Sequence, residues 1–241
     1  MRPRQAAGVP ASRPADFDAV MLAGGRAARM DGADKPALEV GGLPMMIRVA
    51  AAVAAAGAGR LIVVGPDRGG AVGPALAAVA AGLPGGLVTV RESPPGAGPV
   101  AALRRGLSEV RAPWLALLAA DLPFLTGSWL RAVHAIAASS GRPGAVPVDD
   151  GDRQQWLASV WRAEPLRSAL DVYTGGSLGG LLGPMEPARV AAGQAQEGST
   201  PGLAPRGAPG GRPPELAPPW FDCDDPAELA AARARFKDGD T

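Results

Sequence analysis

The sequence predicts an α/β fold: a doubly wound, mostly parallel sheet with helices on both faces, folded as a single domain. Three observations carry that prediction. Short apolar runs recur along the chain without alternating polar residues, as strands covered on both faces do. Helix-length stretches separate them, giving the strand–helix–strand order that builds parallel sheets. The loops richest in Gly and charge follow residues 22, 90 and 120, on the carboxyl edge where such sheets bind ligands.

The elements are taken in chain order. Residues 1–17 carry Pro and Arg without periodicity and are expected to form a disordered tail, leaving a domain over 18–236 and a short tail over 237–241. A first strand, 19–23, ends at Gly24-Gly25. Residues 44–58 read as a helix with Pro at the first turn and Gly after the last. A second strand (60–65), a helix (73–81) and a third strand (86–90) follow. A helix over 98–110 leads to a fourth strand, 114–120, with Asp121 standing at its end. Residues 126–139 form a helix with Thr126 as its cap. Beyond 145 the pattern weakens: 145–148 and 156–161 read as strands, and 164–172 as a helix. From about 191 to 219 the chain is Gly, Pro, Ala and Gln with almost no large apolar residue. Such a stretch buries too little to offset its ordering entropy and is expected to be a disordered loop. Order returns at 220–224, and a helix over 226–236 has Asp225 as its N-cap. No internal repeat is present.

Composition narrows the chemistry. The 241 residues hold 24 Lys+Arg against 23 Asp+Glu, a net charge of +1 that offers nucleic acid no broad basic field. One Cys, Cys223, permits no internal disulfide, and with one His it cannot build a soft-ligand zinc site. A metal here is therefore expected to be a hard ion held by carboxylates. No run approaches a membrane span, and the basic N-terminal segment is not followed by a signal-peptide core, so the expected place is the cytoplasm.

The segment from Leu22 to Lys35, LAGGRAARMDGADK, is the richest in chemistry. Two glycines after a strand let the backbone approach a ligand and aim amide N–H groups at it. Arg26, Arg29 and Lys35 add cations, and amides with cations around one loop make a phosphate site. It is not a Walker A loop, since no Gly precedes Lys35 and Pro36 follows it; nor does it fit G-x-G-x-x-G.

These residues resemble a known family. LAGGRAARMDGADK is similar to the L-A-G-G-x-S-x-R-M-G-x-D-K signature of nucleotidyltransferases like the molybdenum cofactor guanylyltransferase, the MobA-like NTP transferases. The likeness continues in order through GPVAAL at 98–103, LLAADLPFL at 117–125 and DCDDPAEL at 222–229, so it spans nearly the whole ordered chain. The resemblance implies a Rossmann-like fold. It also implies a reaction in which a terminal phosphate of a pterin-type acceptor attacks the α-phosphorus of GTP, with Mg²⁺ assisting and pyrophosphate leaving. Its implied catalytic residues are Arg29, Lys35 and Asp121. The implied nucleotide-binding residues are Leu22, Ala23, Gly24, Gly25, Arg26, Lys35, Glu92, Gly98, Pro99 and Asp121. Asp121 and Asp224 are the implied metal ligands, and proteins that deliver or accept the cofactor are implied transient partners. This chain departs from the signature at Ala27, where serine is usual, in the lengthened Asp31-Gly32-Ala33-Asp34 stretch, at Glu92 in place of an aspartate, and at Gly65-Pro66-Asp67 in place of an asparagine-bearing loop. It also lacks the arginine that relatives carry near 175–180.

Phosphoryl-type transfer needs positioning and charge neutralisation, not a nucleophilic side chain, so the scarcity of His and Cys is no obstacle. Other readings stay open beside this one. A cytidylyltransferase, or a transferase with a different phosphorylated acceptor, is the runner-up, and a degenerate nucleotide-binding module without catalysis is another. Gly96-Ala97-Gly98-Pro99-Val100-Ala101 fits G-x-G-x-x-A, but it follows the third strand instead of the first, which disfavours an NAD(P) site. His134 reads as a surface or packing histidine, and the tryptophans as core. The acidic neighbours of Cys223 argue against a reactive thiolate.

Overall fold

In the computed structural model, residues 15–24, 34–191, 194–195 and 217–238 are described. Gly25, Arg26 and Arg29 lie outside them, as do the tail up to residue 14 and most of the 191–219 segment. One seven-stranded sheet organises the domain. Its strands are β1 (Phe17–Leu22), β4 (Leu61–Val64), β5 (Leu87–Val90), β6 (Trp114–Ala119), β7 (Gly144–Val148), β8 (Ala158–Arg162) and β9 (Ala188–Ala191), in the order β5-β4-β1-β6-β8-β7-β9. Only the two ladders of β8, with β6 and with β7, are antiparallel. The sheet is therefore mostly parallel, as its apolar runs predicted. β8 is folded back into the gap that the β6-to-β7 crossover leaves.

Helices cover both faces. On one side α1 (Met45–Ala56), α2 (Val72–Ala80) and α4 (Gly127–Ser139) bury Ile47, Val53, Leu76, Leu130 and Val133 against Met21, Val63 and Leu118. On the other, α3 (Pro99–Leu107), α5 (Ala163–Val172) and α6 (Leu178–Leu182) bury Leu103, Leu166 and Leu182 against Val20, Ile62 and Leu117. The alternation along β1 explains why its six residues are all buried: successive side chains feed opposite layers. Among the described residues no helix is long and apolar enough to cross a membrane.

Several boundaries move. β1 begins at Phe17, inside the expected tail, because Phe17 is buried against His134 at a ring separation of 5.2 Å. His134 is thus a packing histidine, with the Trp114 ring 5.5 Å away on another side. The last helix, α7 (Pro226–Asp238), runs two residues into the expected C-terminal tail. β9 reaches Ala191, and Ala217 and Trp220 are buried, so both ends of the expected 191–219 loop belong to the fold.

A small hairpin, β2 (Glu39–Val40) and β3 (Leu43–Pro44), escapes the sequence reading because each strand has only two residues. Its turn, Gly41-Gly42, has φ of 56° and 74°, the conformation that a two-residue hairpin loop requires and glycine supplies. Val40 and Met45 then join Cys223, Leu229 and Ala232 in a third, separate core beneath α7. That core carries the C-terminal segment back to the sheet edge.

Candidate functional site

The carboxyl edge of the sheet gathers the chain's chemistry. The β1–β6 pairing continues past the strands, with the Ala120 amide donating to the Leu22 carbonyl at 3.2 Å. Asp121 therefore stands beside the point where β1 gives way to Ala23 and Gly24. Lys35 opens a single 3₁₀ turn, Lys35–Ala37, with Pro36 in its first positions. Its ammonium pairs with Asp121 and, at 2.6 Å, with Asp224. Side chains separated by as many as 189 positions in the chain meet at one nitrogen.

Each partner is held by local structure that the sequence specifies. Asp225 accepts from the Ala227 and Glu228 amides at 2.8 and 2.9 Å, while Glu228 accepts from the amides of Asp224 and Asp225 at 2.6 and 3.1 Å. This reciprocal capping box starts α7 and fixes the Asp224 backbone. Phe124, three residues after Asp121, stacks on Phe236 with ring centroids 5.1 Å apart and meets Phe221 edge-on at 5.8 Å. The D-L-P-F and D-C-D-D segments are thereby clamped together through aromatic packing. Arg48 lies 3.9 Å from the Phe236 ring centroid and donates to the Val40 carbonyl at 2.6 Å.

Among the described residues, three carboxyl groups, Asp121, Asp222 and Asp224, surround the one ammonium of Lys35. Burial alone would lower the Lys35 pKa, but Asp121 and then Asp224 outweigh it, so the ammonium is held above its ordinary 10.5. The Asp222 carboxyl is pushed up to about 6, first by burial and then by the carboxylates of Asp224 and Asp121, with Lys35 opposing. Nothing in the local sequence singles Asp222 out; its burial and the approach of Asp121 from the end of β6 do. Cys223, fully buried, is pushed up to about 12, chiefly by burial and next by Asp121, which keeps it a thiol.

Glu92 follows β5 and is buried at 8 % exposure. Its Oε1 accepts from the Gly96 amide at 2.9 Å, and a Cβ on Gly24 would stand 3.7 Å from that oxygen. Its Oε2 is buried with no hydrogen-bond partner among the described residues. A buried carboxylate oxygen without a donor is costly, and a ligand donor would satisfy it. Gly98 and Pro99 stand at the start of α3, two and three residues after Gly96. Next to this corner a cleft of about 200 Å³ is lined by Gly65, Asp67, Thr89, Val90 and Arg91. The structure thus brings Ala23, Gly24, Lys35, Asp121 and Asp224 to one edge, with Glu92 beside Gly24.

A divalent cation has candidate ligands here. Asp121 and Asp224 both reach a single nitrogen, so they are close enough to share one ion, and Mg²⁺ commonly takes one or two carboxylates with water completing its shell. Among the described residues no three His, Cys, Asp or Glu side chains converge tightly enough to form a fuller metal cage.

Comparison with known proteins adds independent findings. The family described as the MobA-like NTP transferase domain matches residues 19–188. A protein of Cupriavidus taiwanensis named molybdenum cofactor guanylyltransferase is 30% identical over 158 residues, 65% of this chain and 73% of its own length. Among solved structures, molybdopterin-guanine dinucleotide biosynthesis protein A of Archaeoglobus fulgidus superposes with a TM-score of 0.65 at 13% identity, over 92% of this chain and 99% of that one. 2-C-methyl-D-erythritol 4-phosphate cytidylyltransferase of Thermus thermophilus superposes with a TM-score of 0.58 at 18% identity, over 91% and 98%. At those identities the structural likenesses speak for the fold alone.

Proposed function

Since the chain belongs to the MobA-like NTP transferase family and is a nucleotidyltransferase, we propose that it moves GMP from GTP to the terminal phosphate of a molybdenum-pterin acceptor. One observation carries the reading: Lys35, Asp121 and Asp224 converge at the end of β1, where Gly24 of the family's first motif follows. A terminal phosphate oxygen of the acceptor attacks the α-phosphorus of the nucleotide. The bond from that phosphorus to the bridging oxygen breaks, and pyrophosphate carries the electron pair away.

Each side chain has a task in that step. The Lys35 ammonium neutralises charge on the triphosphate, and its partners hold it at the sheet edge ready to do so. After β1 the exposed Gly24 lets the backbone approach the nucleotide without a side chain in the way. Asp121 and Asp224 are the residues that would hold Mg²⁺, which supplies further charge neutralisation when bound. No titrating nucleophile is required, consistent with the unreactive Cys223.

Glu92 favours guanine over cytosine. The guanine edge presents two adjacent donors, N1–H and N2–H₂, that suit a carboxylate, while cytosine presents one amino group beside two acceptors. The unsatisfied Oε2 of Glu92 provides the matching acceptor.

Pyrophosphate release assayed with each of the four nucleoside triphosphates, with Mg²⁺ and with or without the pterin, tests the proposal. GTP with the pterin is expected to dominate. Faster release with CTP would transfer the chain to the cytidylyltransferases, and nucleotide binding without release in any mixture would leave a binding module. Lys35→Ala and Asp121→Ala should each lower the rate at least about a hundredfold, roughly 3 kcal/mol of transition-state stabilisation, while the far-ultraviolet circular dichroism stays native.

A further inference from the structure

We infer that Arg68 is a positioning residue that sets the separation between the end of β1 and Lys35. Its consequence for catalysis rests on the nucleotidyl-transfer reading above; the contacts do not. Arg68 lies in the connection from β4 to α2, remote in sequence from the first motif. Its Nη2 donates to the carbonyl of Ala23, and its Nη1 pairs with Asp34. Ala23 directly precedes Gly24, and Asp34 directly precedes Lys35. One guanidinium therefore fastens both ends of the connection that carries the family's first motif.

The surroundings make this a built arrangement. The Arg68 side chain is 7 % exposed, and its Nε is buried with no partner among the described residues. Burial lowers its pKa. A cation kept out of water at that cost needs a compensating role, which a solvent-exposed ion pair would not. Its backbone is equally confined. A Cβ on Gly73, in the first turn of α2, would fall 2.3 Å from the Arg68 carbonyl oxygen. A Cβ on Gly65 would fall 2.9 Å from the carbonyl carbon and oxygen of Ala23. Both glycines are needed for the approach. The Ala23 amide also donates to the Val64 carbonyl at 2.8 Å, so Ala23 is held from both sides of its peptide.

Only a planar fork can serve the two ends at once. Lysine could keep the charge opposite Asp34 but cannot span to the Ala23 carbonyl in fixed geometry. The clamp acts through Lys35: shifting Asp34 shifts the residue next to it, whose ammonium must meet both carboxylates and the triphosphate. Misplacement by a fraction of an ångström falls on the transition state more than on ground-state binding.

Two measurements on the full-length protein test this, made on the wild type, Arg68→Ala, Arg68→Lys and Asp34→Asn. The first is amide hydrogen exchange of the peptides containing Ala23–Gly24 and Asp34–Leu38, against the β6 peptide as an internal reference. The second is kcat and KM for pyrophosphate release from GTP. Arg68→Ala should raise exchange at both ends about tenfold with β6 unchanged, and lower kcat about tenfold or more with KM changed less. Arg68→Lys should recover part of both losses, and Asp34→Asn should loosen only the Asp34 end. Unchanged exchange at both ends, or an equal rise in β6, would overturn the clamp even in an active enzyme. The expected exchange pattern in a protein that turns over no nucleotide would sustain the clamp and reject the catalytic reading alone. A fall in KM-dependent binding with kcat intact would overturn the positioning role.

Discussion

Asp222 shows how a side chain acquires its property from its folded surroundings: burial first, then the carboxylate of Asp224 two residues on and that of Asp121 across the fold. Its carboxyl titrates near 6 because burial and the Asp224 and Asp121 carboxylates disfavour its charge. In the unfolded chain it reverts to about 3.8, so the folded form binds its proton more tightly. The stabilisation this proton lends is complete below 3.8 and is lost as the pH rises through 6. Asp222→Asn, permanently neutral, should therefore gain stability over wild type between pH 4 and 6 and keep a constant advantage above. Solvent reaches this carboxyl, so the advantage should be roughly 1 kcal/mol and not the ~3 kcal/mol that a two-unit shift would carry in full burial. Thermal unfolding at pH 4, 5 and 7.5 with a chelator present measures it. An advantage that shrinks as the pH rises would contradict a raised pKa at Asp222.

The element that most depends on distant partners is α7. Its cap is local, from Asp225 and Glu228, but its placement rests on Phe124, Phe221 and Phe236 and on the small core with Val40 and Met45. Phe124→Ala removes the ring between the two others. It should cost about 2 kcal/mol, less than a fully buried Phe would, because Phe124 is half-buried. The larger effect is functional: Asp224 loses its anchor, so kcat should fall at least tenfold while Asp121 and Lys35 remain in place. Chemical denaturation and steady-state kinetics on the same preparation separate the two effects. A rate unchanged in a destabilised protein would show that Asp224 plays no part in turnover.

At the scale of the molecule, function and support occupy opposite edges of the sheet. The carboxyl edge holds the site. The other edge holds Asp18, 3 % exposed, whose Oδ2 accepts from the amides of Arg111 and Ala112 at 2.8 and 3.1 Å. Those amides lead into β6, so Asp18 ties the two central strands where they begin. Asp18→Ala leaves two part-buried backbone donors without their carboxylate and should cost about 1–3 kcal/mol of folding stability. Because the lesion lies a strand's length from Lys35, kcat at a temperature well below the unfolding midpoint should be unchanged. Loss of activity at that temperature would mean the edges are coupled.

Much of this was legible in the chain. The apolar runs of β1, β4 and β6, buried at every position, announce a parallel sheet covered on both faces, because such strands can dispense with alternation. Thr126 and Asp225 announce helix starts through side-chain oxygens that satisfy orphan amides, and the first motif names the edge where Lys35 and Asp121 stand. Other features have no local signature. The two-residue hairpin is too short to show periodicity, and β8's return between β6 and β7 depends on which gap the sheet leaves. Arg68 lies in an unremarkable Gly-rich connection, and Asp222 looks like any polar residue before a helix. By itself, then, the amino-acid order determined which segments become strands and helices and which edge they would leave for a ligand. Those properties follow from burial patterns and backbone hydrogen bonding within a few residues. Tertiary structure alone decided which charges face one another across 189 positions, because electrostatic and packing energies depend on distance in space and are blind to distance along the chain.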